Sequence, residues 1–462
     1  MSQNSALVNL HLGLGSFHRA HQALYMQWLH DEGDTSWELA GGNIRPDMLE
    51  LIAALQAQGG AYTLETVTPQ GEREYKRIEA IKNVISWDAD LAGLTAVAVN
   101  PNTRIISFTV TEAGYYLDAH DQLDQSYADL VTDLKGKTVA TLYGALAKLL
   151  DARRLAGAGP LTLMNCDNLR SNGERFFKGF VQFLELRNQS DLLDWVKENT
   201  SAPNAMVDRI TPRPTAEVAT RVKAATGVDD PAALMGESFI QWVIEDHFIA
   251  GRPAWEKVGA EMVQDVSAYE EAKIRCLNAT HSCIAWAGTL AGMSYIHEGT
   301  QDTEICKLGY DYVTDNVIPA LPDCPLDLAK YRDVVLDRFS NPNIQDTNGR
   351  VAMDGYSKIP GFILPTIRDG IARGLSLDSV AMLPALFLAF LQREQRGEIP
   401  FPYEDQLMDP ASAKAIVSAA DPVAAFVAER LLFNELAGND QLLAAMRRAF
   451  ARVEEFIARR AK

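Results

Sequence analysis

A short apolar run, Leu7-Val8-Asn9-Leu10-His11-Leu12, passes without a break into Gly13-Leu14-Gly15-Ser16-Phe17-His18-Arg19-Ala20. From Phe17 the apolar positions Phe17, Ala20, Leu24, Tyr25 and Trp28 recur at helical spacing. In a strand, glycine turn and helix of this kind, the glycines let the backbone turn tightly and approach a pyrophosphate at the helix start. The third glycine position holds His18, so the match to a dinucleotide fingerprint is partial, and a plain turn is the other reading. The fingerprint makes Gly13, Gly15, Ser16, Phe17, His18 and Arg19 the expected cofactor contacts. Arg19 suits a phosphate or a solvated helix face equally.

The first half continues as strands alternating with helices. Trp37-Glu38-Leu39-Ala40 is a second strand, closed by Gly41-Gly42. Asp47 follows it, where an acid can hold the adenosine ribose hydroxyls or cap the helix Met48–Ala57. Arg45 keeps a 2′-phosphate, and hence NADP, open. Tyr62–Thr68 and Glu74–Ile81 read as a hairpin around Pro69-Gln70-Gly71. Strands at Arg104–Val110 and Leu161–Met164 flank a helical segment, Thr138–Ala156. The alternation predicts a doubly wound parallel sheet, whose ligands bind beyond the carboxyl ends of the strands. Glu112 and Asn168 both lie at such ends. The polar, proline-bearing stretch Asn199–Asn204 marks a domain junction. The expected division is 1–205, a Rossmann-like NAD-binding domain, and 206–462, a mainly helical substrate domain.

In the second half, Glu270–Ser282 contains no Pro or Gly, and a helix is the natural reading. At ~100° per residue, Lys273, Asn278 and His281 fall with Ile274, Leu277 and Ile284 within an arc of roughly 140°. Polar groups on a face due for burial cost roughly 2–7 kcal/mol each without partners, so they are paired or used. Polar side chains at the margin of an ordinary helix are the plain alternative. Further on, Arg350 and Lys358 bracket a loop, and Ser376–Glu394 is apolar enough for a core.

Composition limits the partners. The 462 residues carry a formal net charge of -18, which argues against nucleic acid or an anionic membrane. No stretch reaches the ~18 apolar residues of a transmembrane helix. Cys166, Cys276, Cys283, Cys306 and Cys324 show no CxxC spacing, which suits reduced thiols in a cytoplasm. The acidic surface suits a monomer.

Together, in this order, several motifs carry a resemblance. They are Gly13–Gln22, Thr109-Val110-Thr111-Glu112, Asn165-Cys166-Asp167-Asn168, Met206–Pro212, the Lys273, Asn278 and His281 stretch, and Arg350 with Lys358. Over nearly its whole length the chain resembles the polyol-specific long-chain dehydrogenases, the mannitol dehydrogenase family. The resemblance implies oxidation of a secondary alcohol of a linear polyol to a ketose, with hydride passing to NAD and no metal. It makes Lys273 the general base, and Asn168 and Asn278 the amides that stabilise the developing oxyanion. It also implies that His281 positions substrate hydroxyls, that Asp208, Arg350 and Lys358 are further polyol contacts, and that Glu112 handles protons. An alcohol is a poor acid, so a base must take its proton as hydride leaves. A lysine does so only where burial and nearby cations favour its neutral form.

Two rivals are weighed against this reading. A zinc enzyme needs Cys and His ligands at suitable spacing, and His281 with Cys283 points to different sides of a helix. A non-catalytic nucleotide- or sugar-binding protein explains Gly13 and Gly15 but gives no reason for Lys273, Asn168 and Asn278 together. Among substrates, D-arabinitol giving D-xylulose ranks ahead of D-mannitol giving D-fructose.

Overall fold

The apolar runs of the first half become β1 (Leu7–Leu12), β2 (Trp37–Gly42), β3 (Tyr62–Val67), β4 (Arg73–Ile78), β5 (Ile81–Ile85) and β6 (Thr103–Phe108). They are followed by β7 (Leu161–Asn165), β8 (Thr200–Ser201), β9 (Ala205–Asp208), β10 (Leu234–Glu237), β11 (Gln241–Glu245) and β12 (Glu261–Val263). The structure, a computed structural model, describes residues 6–110, 112–118 and 121–460, apart from the side chains of Glu112 and Ala113. The chain forms two units, Met1–Thr68 with Glu72–Ser267, and Pro69–Gly71 with Ala268–Lys462.

In the first unit six strands pair in parallel in the order β5-β2-β1-β6-β7-β8. This is the doubly wound order, in which the chain leaves the central strand first toward one edge and later toward the other. Successive side chains on a strand point to opposite faces. Ile106 and Phe108 therefore join a core with Leu161, Leu163, Leu146 and Phe180, while Ile105 and Met164 join another with Leu24, Leu64 and Trp242. Burial on both faces is why adjacent residues such as Ile105 and Ile106 are both apolar. The hairpin forms as the turn residues predict, from Tyr62↔Ile78 to Val67↔Arg73, and β10 adds to it in parallel.

The junction expected at 205/206 falls inside the first unit, which runs to Ser267. From Ala205 the chain enters β9, which pairs antiparallel with β11. Asn172 clasps the entry. Its Nδ2 donates to Ala205 O at 2.7 Å and Asp167 O at 2.9 Å, and its Oδ1 accepts from the Ala205 N–H at 2.9 Å. The polar, proline-bearing stretch therefore ends one strand and starts another.

The second unit is helical. Ser267–Ala272, the π-helical Lys273–Asn278 and Ala279–Leu290 run on as one rod, with Ala272 and Asn278 both in right-handed helical conformation. The expected helix is present, but the π segment bonds i to i+5, so the ~100° spacing does not hold across it. Ala272 and Cys276 are as buried as Ile274 and Leu277, so the segment is enclosed rather than buried on one face. Every residue from Met382 to Leu391 is buried, and Phe387 packs on Trp286, Tyr356 and Phe426. The loop expected between Arg350 and Lys358 is instead two short helices, Asn348–Ala352 and Gly355–Lys358. They meet at Asp354 (φ 55°), and the Tyr403 hydroxyl and Asp405 carboxylate accept the Gly355 and Tyr356 N–H groups at 3.1 and 2.9 Å. Among the described residues no helix is long and apolar enough to cross a membrane.

Asn172 is fully buried, and truncating it removes three hydrogen bonds and leaves backbone groups unpaired. Asn172→Ala is expected to cost about 2–4 kcal/mol in denaturant unfolding. A loss below about 1 kcal/mol would show that β9 is held by its strand pairing alone.

Candidate active site

The carboxyl ends of β1, β2 and β6 surround a cavity of about 520 Å³ at the point where the strand order reverses. Gly13, Gly15, Asn43, Arg45, Asp47 and Thr109 all line it. The turn is held from below: the Gly13 N–H donates to Gly42 O and the Leu14 N–H to Asn43 Oδ1, each at 2.9 Å. Asn43 Nδ2 in turn donates to Asp47 O at 3.2 Å, fixing the stretch after β2. Gly13 has φ 109°, and a Cβ there would meet Thr109 O at 2.8 Å, so only glycine fits. A Cβ on Gly15 would meet nothing within 4 Å. The two glycines thus serve different ends, one for backbone packing and one for open space at the helix start.

The residues after the turn divide between the helix start and the interior. Ser16 and Phe17 are half-buried, and Phe17 stacks on His21. His18 is fully buried and stacks on His11, with ring centroids 3.5 Å apart. Burial pulls His18 down to about 3 and His11 well below its ordinary value, so both rings are neutral. Arg19 is also buried. It donates to Ala232 O at 2.5 Å and lies over the Tyr62 ring, so its guanidinium braces the fold. Arg45 donates to Ala140 O and the Tyr116 hydroxyl at 2.6 Å and pairs with Asp129 at 3.0 Å, and Tyr116 and Asp129 also line the cavity.

At the end of β7, Asp167 organises the turn that carries Asn168. Its carboxylate accepts the Val110 N–H at 2.9 and 3.0 Å and the Tyr115 hydroxyl. Asn165 Oδ1 accepts the Asp167 N–H at 2.7 Å. This network ties the segment after β6, where Glu112 opens a short 3-10 helix, to the Asn168 turn. The Glu112 side chain lies outside the described residues. Asn168 is exposed, while Asp208, the last residue of β9, is buried.

In the second unit Lys273 is the first and Asn278 the last residue of the π segment. Such segments recur at functional sites because they aim side chains that a regular helix cannot. Lys273 is buried, Asn278 half-buried. The neighbouring Arg275 is paired with Glu271 at 2.7 Å and Asp369 at 2.5 Å. One turn beyond, His281 stacks on Phe339 and its Nε2 lies 3.1 Å from Asp346. Arg350 grips the same carboxylate through Nε and Nη2 at 2.7 and 2.6 Å. Burial pulls the Lys358 ammonium down to about 8, and its Nζ donates to Val351 O at 2.6 Å. His281, Arg350 and Asp346 are thus brought together. Sequence reasoning missed Asp346, although its i, i+4 spacing from Arg350 was a legible signal.

Gly13→Ala is expected to lower stability by more than about 1 kcal/mol, because it combines positive φ with a carbonyl collision. Gly15→Ala should keep the thermal midpoint, so any change it causes in nucleotide affinity reports crowding of open space. Equal midpoints for the two variants would refute this division of roles.

Comparison with known proteins agrees with the architecture. The Mannitol dehydrogenase Rossmann domain matches residues 8–257, and the Mannitol dehydrogenase C-terminal domain matches 265–454. The chain is 61% identical over 458 residues to D-arabinitol 4-dehydrogenase of Ralstonia nicotianae, covering 98% of each. It is 52% identical to D-arabinitol 4-dehydrogenase of Klebsiella pneumoniae, covering 98% of this chain and 100% of that one. Among solved structures, the Pseudomonas fluorescens mannitol 2-dehydrogenase ternary complex with NAD and D-mannitol superposes with a TM-score of 0.84 at 32% identity, covering 99% of this chain and 94% of that one. With both units matched along their lengths, the chain belongs to the mannitol dehydrogenase family.

Proposed function

We propose that this chain is a dehydrogenase that oxidises a secondary alcohol of a linear polyol to a ketose with NAD, with D-arabinitol to D-xylulose as its reaction. The observation that carries this reading is identity of 61% and 52% to two D-arabinitol 4-dehydrogenases over both domains, against 38% to a mannitol 2-dehydrogenase of Cereibacter sphaeroides. D-mannitol to D-fructose is the second reading. The five cysteines are free thiols, which fits a cytoplasmic location.

The residues at the strand ends suit a dinucleotide. The open space over Gly15 accommodates a pyrophosphate, and Asp47 lies beyond β2, where a carboxylate can accept ribose hydroxyls. When bound, NAD supplies the hydride acceptor. The chain's own residues handle the proton and the charge. Lys273 takes the proton of the reacting hydroxyl, and its burial keeps water from competing. Asn168 and Asn278 donate to the oxygen as negative charge develops, each contributing roughly 2.7–4 kcal/mol by analogy with other oxyanion donors. His281, Asp208, Arg350 and Lys358 supply donors and acceptors to the remaining hydroxyls. Glu112 takes part in passing the proton onward.

Initial rates with D-arabinitol, D-mannitol, D-sorbitol and xylitol test the substrate. D-Arabinitol should give the highest kcat/KM, and a clear preference for D-mannitol would overturn the ranking. Lys273→Ala should lower kcat by about 10²–10⁴-fold with NADH binding intact, and near-normal turnover would sink the base assignment. Selectivity for NAD over NADP would follow if the pairing of Arg45 with Asp129 at the cavity keeps that guanidinium from a 2′-phosphate. Asp129→Asn is expected to raise the NADP-to-NAD ratio of kcat/KM about tenfold. An unchanged ratio would show that Arg45 does not face the adenosine ribose.

A further inference from the structure

We infer that Asp346 is a positioning residue, whose carboxylate fixes the His281 ring and the Arg350 guanidinium as one device for recognising adjacent hydroxyls of the substrate. The inference rests on the polyol reading above and concerns only how the second unit prepares its contacts. The Asp346 side chain is 9% exposed, and its two oxygens take up Arg350 Nε and Nη2 at 2.7 and 2.6 Å, with His281 Nε2 at 3.1 Å. Three elements converge here. His281 comes from the helix Ala279–Leu290, its ring stacks at 4.3 Å on Phe339 of Leu328–Phe339, and Asp346 precedes Asn348–Ala352. The backbone around Asp346 is pinned as well. Its carbonyl accepts the Ile296 N–H at 2.9 Å, the Asn348 N–H donates to Ser294 O at 2.9 Å, and Thr347 caps the helix at the Arg350 N–H.

The chemistry of the three groups sets what they offer. An ionised carboxylate only accepts, so the nitrogen beside it must carry the ring proton. His281 held in that tautomer keeps Nδ1 as an acceptor. Arg350 has five N–H donors in a fixed fork and gives two to Asp346, so it retains donors for another partner. An acceptor and a donor held by one carboxylate match neighbouring hydroxyl groups, where one hydroxyl gives its proton to the ring and the next receives one from the guanidinium. Burial alone would push the Asp346 carboxyl up, but the two Arg350 hydrogen bonds and the His281 ring nitrogen 3.1 Å away outweigh it and hold the group ionised.

The test measures steady-state kinetics of Asp346→Asn, alone and combined with Arg350→Ala, with thermal melting as a control. Alone, it should raise the KM for D-arabinitol about tenfold, with kcat and NADH affinity little changed. In the Arg350→Ala background it should change KM less than about threefold, because coupled groups are not additive. A merely structural loss would lower the active fraction and hence kcat at constant KM, and that result, or additive effects, would overturn the proposal. The ring tautomer of His281 in the unaltered protein, read from its imidazole nitrogen resonances with His281→Gln for assignment, is expected to be Nε2–H. A proton on Nδ1 would overturn the proposal whether or not the variants fold. Absence of turnover by the unaltered protein with every polyol would instead remove the polyol reading, while the tautomer still judged the pairing.

Discussion

A parallel sheet covered on both faces has its backbone open only at the strand ends, and the first unit depends on that constraint. Its two cores fill both sides of β1, β2, β6 and β7, so side chains there are committed to packing. Where the strand order reverses, the chain after β1 and the chain after β6 depart to opposite sides and leave a crevice. Gly13 keeps the two strand ends close, because its missing side chain lets the Thr109 carbonyl approach.

Beneath the turn, the fold replaces a glycine with a stack of two neutral histidines. His18 on His11 fills the space between helix and sheet with polarisable rings, and Ser107 and Thr109 hydroxyls satisfy the His11 nitrogens. Arg19 goes into the fold as well, with a carbonyl and an aromatic face for partners. A local motif here matches a dinucleotide fingerprint in its first two glycines, while the side chains of His18 and Arg19 pack into the fold.

The second unit solves a different problem, that of keeping charged groups inside a helical body. Buried charges persist only when paired or hydrogen-bonded. Arg275 is flanked by Glu271 and Asp369, and Asp346 by His281 and Arg350. Arg275 with Asp369 and His281 with Asp346 join separate elements, so they tie the rod that carries Lys273 and Asn278 to its surroundings. The change to π-helical hydrogen bonding between those two residues occurs inside this enclosed region, where neighbouring helices can hold an uncommon backbone in place.

Much was legible in the chain itself because it depends on local physics. Apolar runs between turn residues located β1, β2, β6 and β7, the Pro69–Gly71 turn located the hairpin, and the strand–helix alternation specified the winding of the sheet. Gly13 and Gly15 could be picked out because glycine is tied to backbone geometry. The pairing of β9 with β11, which moves the unit boundary to Ser267, could not be read, since strand pairing is a contact between segments distant in sequence. The same holds for the burial of Arg19, the engagement of Arg45 by Asp129 and the approach of His281 to Asp346. Sequence spacing determined which side chains could share a turn or a strand end. Only tertiary packing decided which charged groups found partners, because the free energy of a charge depends on what surrounds it in space.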